Sequence, residues 1–551
     1  MYQVELRVNG EFFKTIEVKK NSKIIDIISE DEIEKDKIIA YTINREYANS
    51  ETEITKNCIL NCLYYNTPRG HRLYQDTAAF IMMKAFHNLF PNPGRFVIEH
   101  SIGDGVFCEI FKGDMLTPED CENLKNEMHR IIDAKLLIET NEYTTEEAKE
   151  IFTRQGRLDV IRNLKGNKIK ISKCGEYYDH FLNPIAENTS VIRSFDLVYH
   201  APGVILRFPK IGELEITDEF KMPRQLFNTH QEHDKWLNIL RMHNVADLNK
   251  AIEDYYQIRD IIQIEEALHA KKIVEIADEI ERKKDVKIIL IAGPSSSGKT
   301  TFAKRLSIQL RVNGITPHVI GMDDYFVDRT RTPRKENGEL DFESINALDL
   351  ELLNSDLTKV LNGEEIEPPK YNFITGKSER SYRKLQLLED EVLIMEGIHG
   401  LNDKLTQSVP FNQKIKIYVS ALNNLNVDYH NRIATSDSRK IRRIMRDSAT
   451  RGHTAEQTIL MWDSVHAGEK KNIFPFQENA DFMFNSILTY ELGVFKEKVL
   501  ALLKRIHKQS AAYPEAQRLI QIVEQVYFIK EELVPRNSIL REFIGGSIFN
   551  Y

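Results

Sequence analysis

The chain has 551 residues, a net charge of −8, 42% hydrophobic residues and 29% charged ones. That length predicts roughly three or four domains. The mildly acidic balance excludes a generally basic nucleic-acid binder, though not a local basic face. No apolar stretch approaches the length of a membrane span, and the alternating N-terminus lacks a signal-peptide core, so a cytoplasmic protein is expected. The five cysteines (Cys58, Cys62, Cys108, Cys121, Cys174) are scattered. Cys58 and Cys62 suggest one half of a zinc site, but no second pair follows, and buried reduced thiols are the expectation.

Residues 1–65 read as a small β-rich domain. Val4, Leu6 and Val8 alternate, Asn9-Gly10 predicts a hairpin turn, and Phe12, Thr15, Ile16 and Val18 return. A short amphipathic segment at Ile24–Ile28 precedes strands near Ile38–Ile43 and Ile54–Tyr64. The pattern resembles a TGS domain, the ubiquitin-like β-grasp module at the front of threonyl-tRNA synthetases, which implies a docking or spacer role without catalytic residues.

Residues 66–230 open with a helix over Gln75–Ala85. A long helix starts behind Thr117-Pro118, and another behind Thr144, whose partner in a capping box is Glu147. The order is similar to the editing-type second domain of threonyl- and alanyl-tRNA synthetases. That family holds a metal with paired histidines and a later Cys/His pair. The matching positions here are Asp76, Phe80, Phe181 and Ile185. Phe and Ile cannot ligate zinc and one carboxylate cannot replace four ligands, so hydrolytic editing is not expected. The resemblance leaves the cleft as a binding surface. His71, His180 and His200 are the remaining metal candidates, with structural roles as the competing reading.

Residues 231–285 read as a charged helical connector packed on the domain that follows, its charges forming a solvated face, with Glu265 to Lys272 strongly helix-forming. Residues 286–505 carry the chemistry. The apolar run Ile288–Ala292 leads into Gly293-Pro294-Ser295-Ser296-Ser297-Gly298-Lys299-Thr300-Thr301, and a helical pattern follows to Gly314. Strand, glycine loop and helix are the setting of a P-loop. The loop amides and helix N-terminus are expected to cradle ATP phosphates. Lys299 reaches the β/γ-phosphates and the Thr300 hydroxyl ligates Mg²⁺.

A strand ending in Met322-Asp323-Asp324 brings acids to the ligand edge of a parallel sheet. Asp323 is the candidate base for an acceptor hydroxyl, with capping or support of a metal as competing roles. Leu393-Ile394-Met395-Glu396 is a second such strand, and Glu396 is the candidate Mg²⁺ carboxylate. Arg439, Arg442, Arg443, Arg446 and Arg451 then form a basic run suited to a lid over transferring phosphate, with Arg446 and Arg451 the preferred pair. An exposed basic helix is the bland alternative. Thr454 and Gln457 make a capping box for the next helix.

GPSSSGKTT, MDDYF, DFESINALD, PKYNF, MEGIHGLN, IRRIMRDSATRG and ADFMFNS together resemble the uridine kinase and phosphoribulokinase family of P-loop kinases. The resemblance implies a multidomain α/β protein: a parallel-sheet kinase domain behind a β-grasp domain and an α+β editing-like domain. It implies transfer of the ATP γ-phosphoryl group to uridine or cytidine, with Asp323 as base and Glu396 on Mg²⁺. It also sets Glu343, Tyr371, Arg443 and Arg451 near the nucleoside or phosphates. Three positions depart from the family pattern: Glu343 replaces an Asp, Gly376 a His that contacts the base, and His453 the second Arg of the lid. Gly376 offers no side-chain donor, so a kinase for another small hydroxyl metabolite is the alternative. A third reading is a nucleotide-gated RNA- or ribosome-associated regulator, suggested by the synthetase-like front half. Residues 506–551 read as a helical tail.

Overall fold

The computed structural model describes residues 1–29, 33–90, 94–335 and 338–550. The first unit is built from β1 (Tyr2–Val8), β2 (Glu11–Val18), α1 (Ile24–Ser29), β3 (Ile38–Ile43), β4 (Glu46–Ala48) and β5 (Cys58–Tyr64). Its sheet has the order β2-β1-β5-β3-β4, with β1 and β5 parallel at the centre. The Asn9-Gly10 turn has both residues at positive φ, 52° and 92°, the geometry that a tight hairpin demands. This is a β-grasp sheet, with α1 closing its apolar face through Ile24, Ile27 and Ile28.

The second unit is organised on α2 (Pro68–Leu89), which starts earlier than its apolar pattern suggests. Thr67 caps it by accepting from the Gly70 amide, and Pro68 occupies the first turn. Thr77 to Phe86 are all buried, because sheets and helices surround this helix. Around it lie β6 (Arg95–Ile102), β7 (Gly105–Phe111), α3 (Pro118–Asp133), β8 (Glu139–Thr144), α4 (Thr145–Arg154), α5 (Leu158–Asn163), β9 (Lys168–Cys174), β10 (Tyr177–Asp179), β11 (Asp196–His200) and β12 (Gly203–Arg207). The strands form antiparallel sheets β11-β12-β7-β6 and β10-β9-β8. The expected capping box of Thr144 with Glu147 is present, and the Thr117 cap proves to be a capping box as well, with Asp120 as its partner.

Three helices, α6 (Arg224–Leu240), α7 (Val245–Ile252) and α8 (Tyr255–Arg282), lead to the third unit. Its elements are β13 (Ile288–Ala292), α9 (Lys299–Val312), β14 (Thr316–Gly321), α10 (Leu350–Leu361), β15 (Pro369–Asn372), β16 (Lys377–Arg380), β17 (Glu391–Glu396), β18 (Lys414–Ser420), α11 (Thr435–Arg446), α12 (Ala455–Asn472), β19 (Phe482–Asn485), α13 (Glu491–Leu503), α14 (Tyr513–Gln525) and α15 (Arg541–Ile544). The sheet β14-β17-β13-β18-β19 is parallel throughout. Its central strands β13 and β17 are near-continuous apolar runs because helices cover both faces. The strand order reverses around β13, so the ligand edge lies where β13, β14 and β17 end.

One hydrophobic core joins Ile261, Ile262, Ile273, Ile276 and Ile280 of α8 to the sheet, to α9 and to Val523 and Phe543 of the tail. The connector is therefore part of the core of the third unit. All five cysteines are buried, and none of them forms a disulfide.

The editing-like cleft is not an open surface. The chain between β18 and α11 lies across it: the Ile98 amide donates to Tyr429 O at 2.8 Å, Asn426 donates to Ile98 O at 2.8 Å, and the Leu182 amide donates to Asn431 Oδ1 at 2.7 Å. At the family's metal positions, Asp76 accepts from Asn183 at 3.0 Å, and Phe80 meets Phe181 edge-on at 6.2 Å. Among the described residues, no group of three His, Cys, Asp or Glu is arranged to hold a metal. His71 contacts Pro209 O and His180 contacts Lys170 O, while His200 packs edge-on against Phe227.

Candidate active site

β13 ends at a loop that only glycine permits at two points. A Cβ on Gly293 would stand 2.0 Å from Val419 O, and Gly298 has φ +83°. Ser296 and Ser297 are buried within the turn. Lys299 donates to Gly293 O at 2.9 Å and Pro294 O at 3.1 Å. Burial lowers its pKa, against the opposing fields of Glu396, Glu542 and Asp323. Thr300 Oγ1 lies 3.0 and 3.1 Å from the two Glu396 carboxylate oxygens. A strand-end carboxylate and a helix-start hydroxyl thus converge as hard oxygen donors, a set that suits Mg²⁺.

Asp323 is the second residue of the 3₁₀ turn after β14. It keeps access to solvent in a cleft whose walls crowd it. That crowding raises its carboxyl pKa, opposed by Lys299, reinforced by Asp324 and opposed by Arg451. Glu343 is half-buried against α12, where a Cβ on Gly468 would come within 2.9 Å of its Cγ. Its pKa is raised by burial and by Glu469, while Arg443 works in the other direction. Tyr371 is buried in an aromatic group with Phe326 and Phe373, at ring distances of 5.5 and 5.0 Å, and its hydroxyl has no hydrogen-bond partner. His399 is buried against the backbone of Ser344 and Glu343, and burial lowers its pKa to about 4.

The arginine run divides. Arg439 and Arg442 are fully buried and ion-paired with Glu469 and Glu491 respectively, so they hold the fold. Arg443, Arg446 and Arg451 surround the single buried carboxylate of Asp447, at 3.2, 2.9 and 3.8 Å. Three cations on one anion leave positive charge in excess above the loop. Arg443 also donates to Ser295 Oγ at 2.8 Å, which sets it on the P-loop. α11 gives way to a π-helical turn at Asp447–Arg451 and ends at Gly452, φ +67°. His453 is exposed.

The sequence reading missed three side chains. Glu469 accepts from the Ser295 amide at 2.9 Å. Burial alone would raise its pKa, but Arg439, His466 and the Ser295 amide together hold the carboxyl down to about 2. Arg329 lies over Gly376: its guanidinium Nε is 2.7 Å from where a Cβ there would be, and its Nη2 donates to Phe373 O at 2.7 Å. Glu542, from the tail, accepts from Thr301 Oγ1 at 2.6 Å. The missing side chain at Gly376 was a signal that something else fills that space; neither glutamate carried one.

The phosphoribulokinase / uridine kinase family model matches residues 288–492. A uridine kinase of Anoxybacillus flavithermus is 31% identical over 184 residues, 33% of this chain and 77% of the relative. A threonine–tRNA ligase of Thermotoga maritima is 29% identical over 165 residues, 29% of this chain, which spans only 26% of that ligase. Among solved structures, the D-glycerate 3-kinase of Cryptococcus neoformans aligns with 36% of this chain and 80% of its own, at 13% identity and a TM-score of 0.24. The P-loop, the strand-end acids and the arginine helix all fall within the matched residues, and by that match this chain belongs to the phosphoribulokinase / uridine kinase family.

Proposed function

We propose that the protein is an ATP- and Mg²⁺-dependent kinase that phosphorylates a nucleoside hydroxyl, taking uridine or cytidine to the 5′-monophosphate. The observation that carries this reading is the convergence of Lys299, the Thr300–Glu396 pair and Asp323 at one sheet edge beneath three arginines. In this reading the P-loop amides from Ser295 to Thr301 and Lys299 hold the ATP phosphates. Thr300 and Glu396 hold Mg²⁺, which neutralises phosphate charge when bound. Asp323 takes the proton from the acceptor hydroxyl as its oxygen bonds to the γ-phosphorus. The bond from that phosphorus to the β–γ bridging oxygen breaks, and ADP leaves. Arg446 and Arg451 stabilise the charge that spreads over the transferring group. Glu343, Tyr371 and Arg443 border the acceptor.

A second reading, a kinase for another small hydroxyl metabolite, is favoured by one observation. The place of a base-contacting side chain at Gly376 is taken by the Arg329 guanidinium, a donor suited to anionic or carbonyl groups. A screen of acceptor-dependent ATP consumption over nucleosides, sugars, sugar acids and sugar alcohols separates the two, with the product identified by mass spectrometry. Uridine yielding UMP supports the first. Turnover confined to a non-nucleoside supports the second. Tight ATP binding with no acceptor-dependent turnover, together with stable tRNA co-purification, overturns both in favour of a nucleotide-gated regulator.

A further inference from the structure

The last residues of the chain, outside the family match, are seated on the P-loop. Glu542 accepts from Thr301 Oγ1 at 2.6 Å and faces the Thr301 amide at 3.4 Å. Ile539 closes the turn: its Cγ2 is 2.8 Å from where a Cβ on Gly298 would be. Further along α9, Lys304 donates to Asn550 O at 2.6 Å. The seat is anchored from behind. Phe543 is buried, with the Arg442 guanidinium 5.2 Å from its ring centre and Phe495 edge-on at 6.3 Å. Arg442 also donates to Ser486 Oγ, which donates to Ser297 O inside the loop.

Thr301 is the third residue of α9. Its amide is one of the helix-start donors that have no partner within the helix and that a P-loop offers to phosphate. A carboxylate at those donors is an anion of the kind the loop is built to receive. Lys299 already stands in the fields of Glu396 and Asp323, which the proposed chemistry uses; Glu542 is a third negative charge that it does not use.

We propose that Glu542 sets the nucleotide affinity of this site: it is an intrachain anion at the Thr301 donors that a nucleotide phosphate displaces, so that nucleotide and C-terminal segment compete. The proposal rests on the reading of the P-loop as an ATP site. A seated segment favoured tenfold over the released one weakens apparent affinity about tenfold.

The test is calorimetric titration of MgATP and MgADP into the full-length protein, its E542Q variant and its K299A variant. Hydrogen exchange of the wild type, with and without saturating MgADP, accompanies it. E542Q keeps the shape and removes the charge. The expected result is about tenfold tighter MgATP binding by E542Q. With the wild type, MgADP is expected to accelerate exchange at residues 536–550. Unchanged or weaker binding by E542Q, with wild-type binding that K299A abolishes, overturns the proposal and makes Glu542 a wall of the site. Slower exchange of the segment with MgADP overturns it as well. Absence of nucleotide binding by wild type and E542Q alike overturns the ATP-site reading itself, and the proposal with it.

Discussion

Asp323 shows how position tunes a residue for its proposed work. Crowding in the cleft raises its carboxyl pKa, and Lys299 opposes the rise. A base acts deprotonated, so activity is expected to fall with decreasing pH through that raised value. The acid limb of kcat/KM should therefore lie above the ordinary aspartate range. Asp323→Asn should lower kcat/KM by about 10²–10⁴-fold while leaving MgATP binding intact, as read by steady-state kinetics and titration. Full turnover by that variant would assign the proton to another group. The neighbouring arginines teach a different lesson. Arg439 and Arg442 look like lid residues in sequence, but each is claimed by a buried glutamate from α12 or α13. A local run of arginines does not say which of them will meet a carboxylate contributed from elsewhere.

At the scale of elements, the segment from Asn426 to Asn431 fastens the second unit to the root of α11, the helix that carries the arginines. Its anchor is buried: Arg157 donates to Asp159 at 2.9 Å and to Asp179 at 3.1 Å, and His430 Nδ1 lies 2.6 Å from Asp179. Removing Arg157 takes the shared guanidinium from two buried carboxylates, Asp159 and Asp179. Arg157→Ala should cost about 3–5 kcal/mol, read as a lower urea midpoint. Burial pushes the Asp179 carboxyl up, but His430 and Arg157 together hold it well below the ordinary range. Its contribution to stability is thus full above the ordinary aspartate pKa and is lost as pH falls toward the depressed folded value. Acid unfolding that is equally steep in wild type and Arg157→Ala would contradict this. The strands, the P-loop helix and the capping boxes were legible because period and end signals are local. The docking of this segment was not, since His430 and Asp179 are 251 positions apart.

At the scale of the whole molecule, the helices before the P-loop belong to the kinase core. Ile261, Ile262, Ile273, Ile276 and Ile280 pack with the sheet and the tail, and each buried side chain is worth about 1.5–3 kcal/mol. A chain beginning at residue 286 should therefore fail to fold, while one beginning at 224 should keep the core. Circular dichroism and thermal melting distinguish them, and a cooperative melt of the shorter chain at the full-length midpoint would show α8 to be dispensable. The sequence by itself determined the donor half of the site. A contiguous nine-residue stretch, from the end of an apolar strand into the first turn of a helix, carries its own phosphate-binding amides, and apolar runs ending in Asp323 and Glu396 bring their acids to the same edge. Only the tertiary structure decided what stands against that half: Arg329 over Gly376, the kinase's own segment in the editing-like cleft, and Glu542 on Thr301, a residue 241 positions away. The physical reason is that backbone donors and strand ends follow from local order, whereas the partner of a side chain is settled by packing between distant segments, which no local period records.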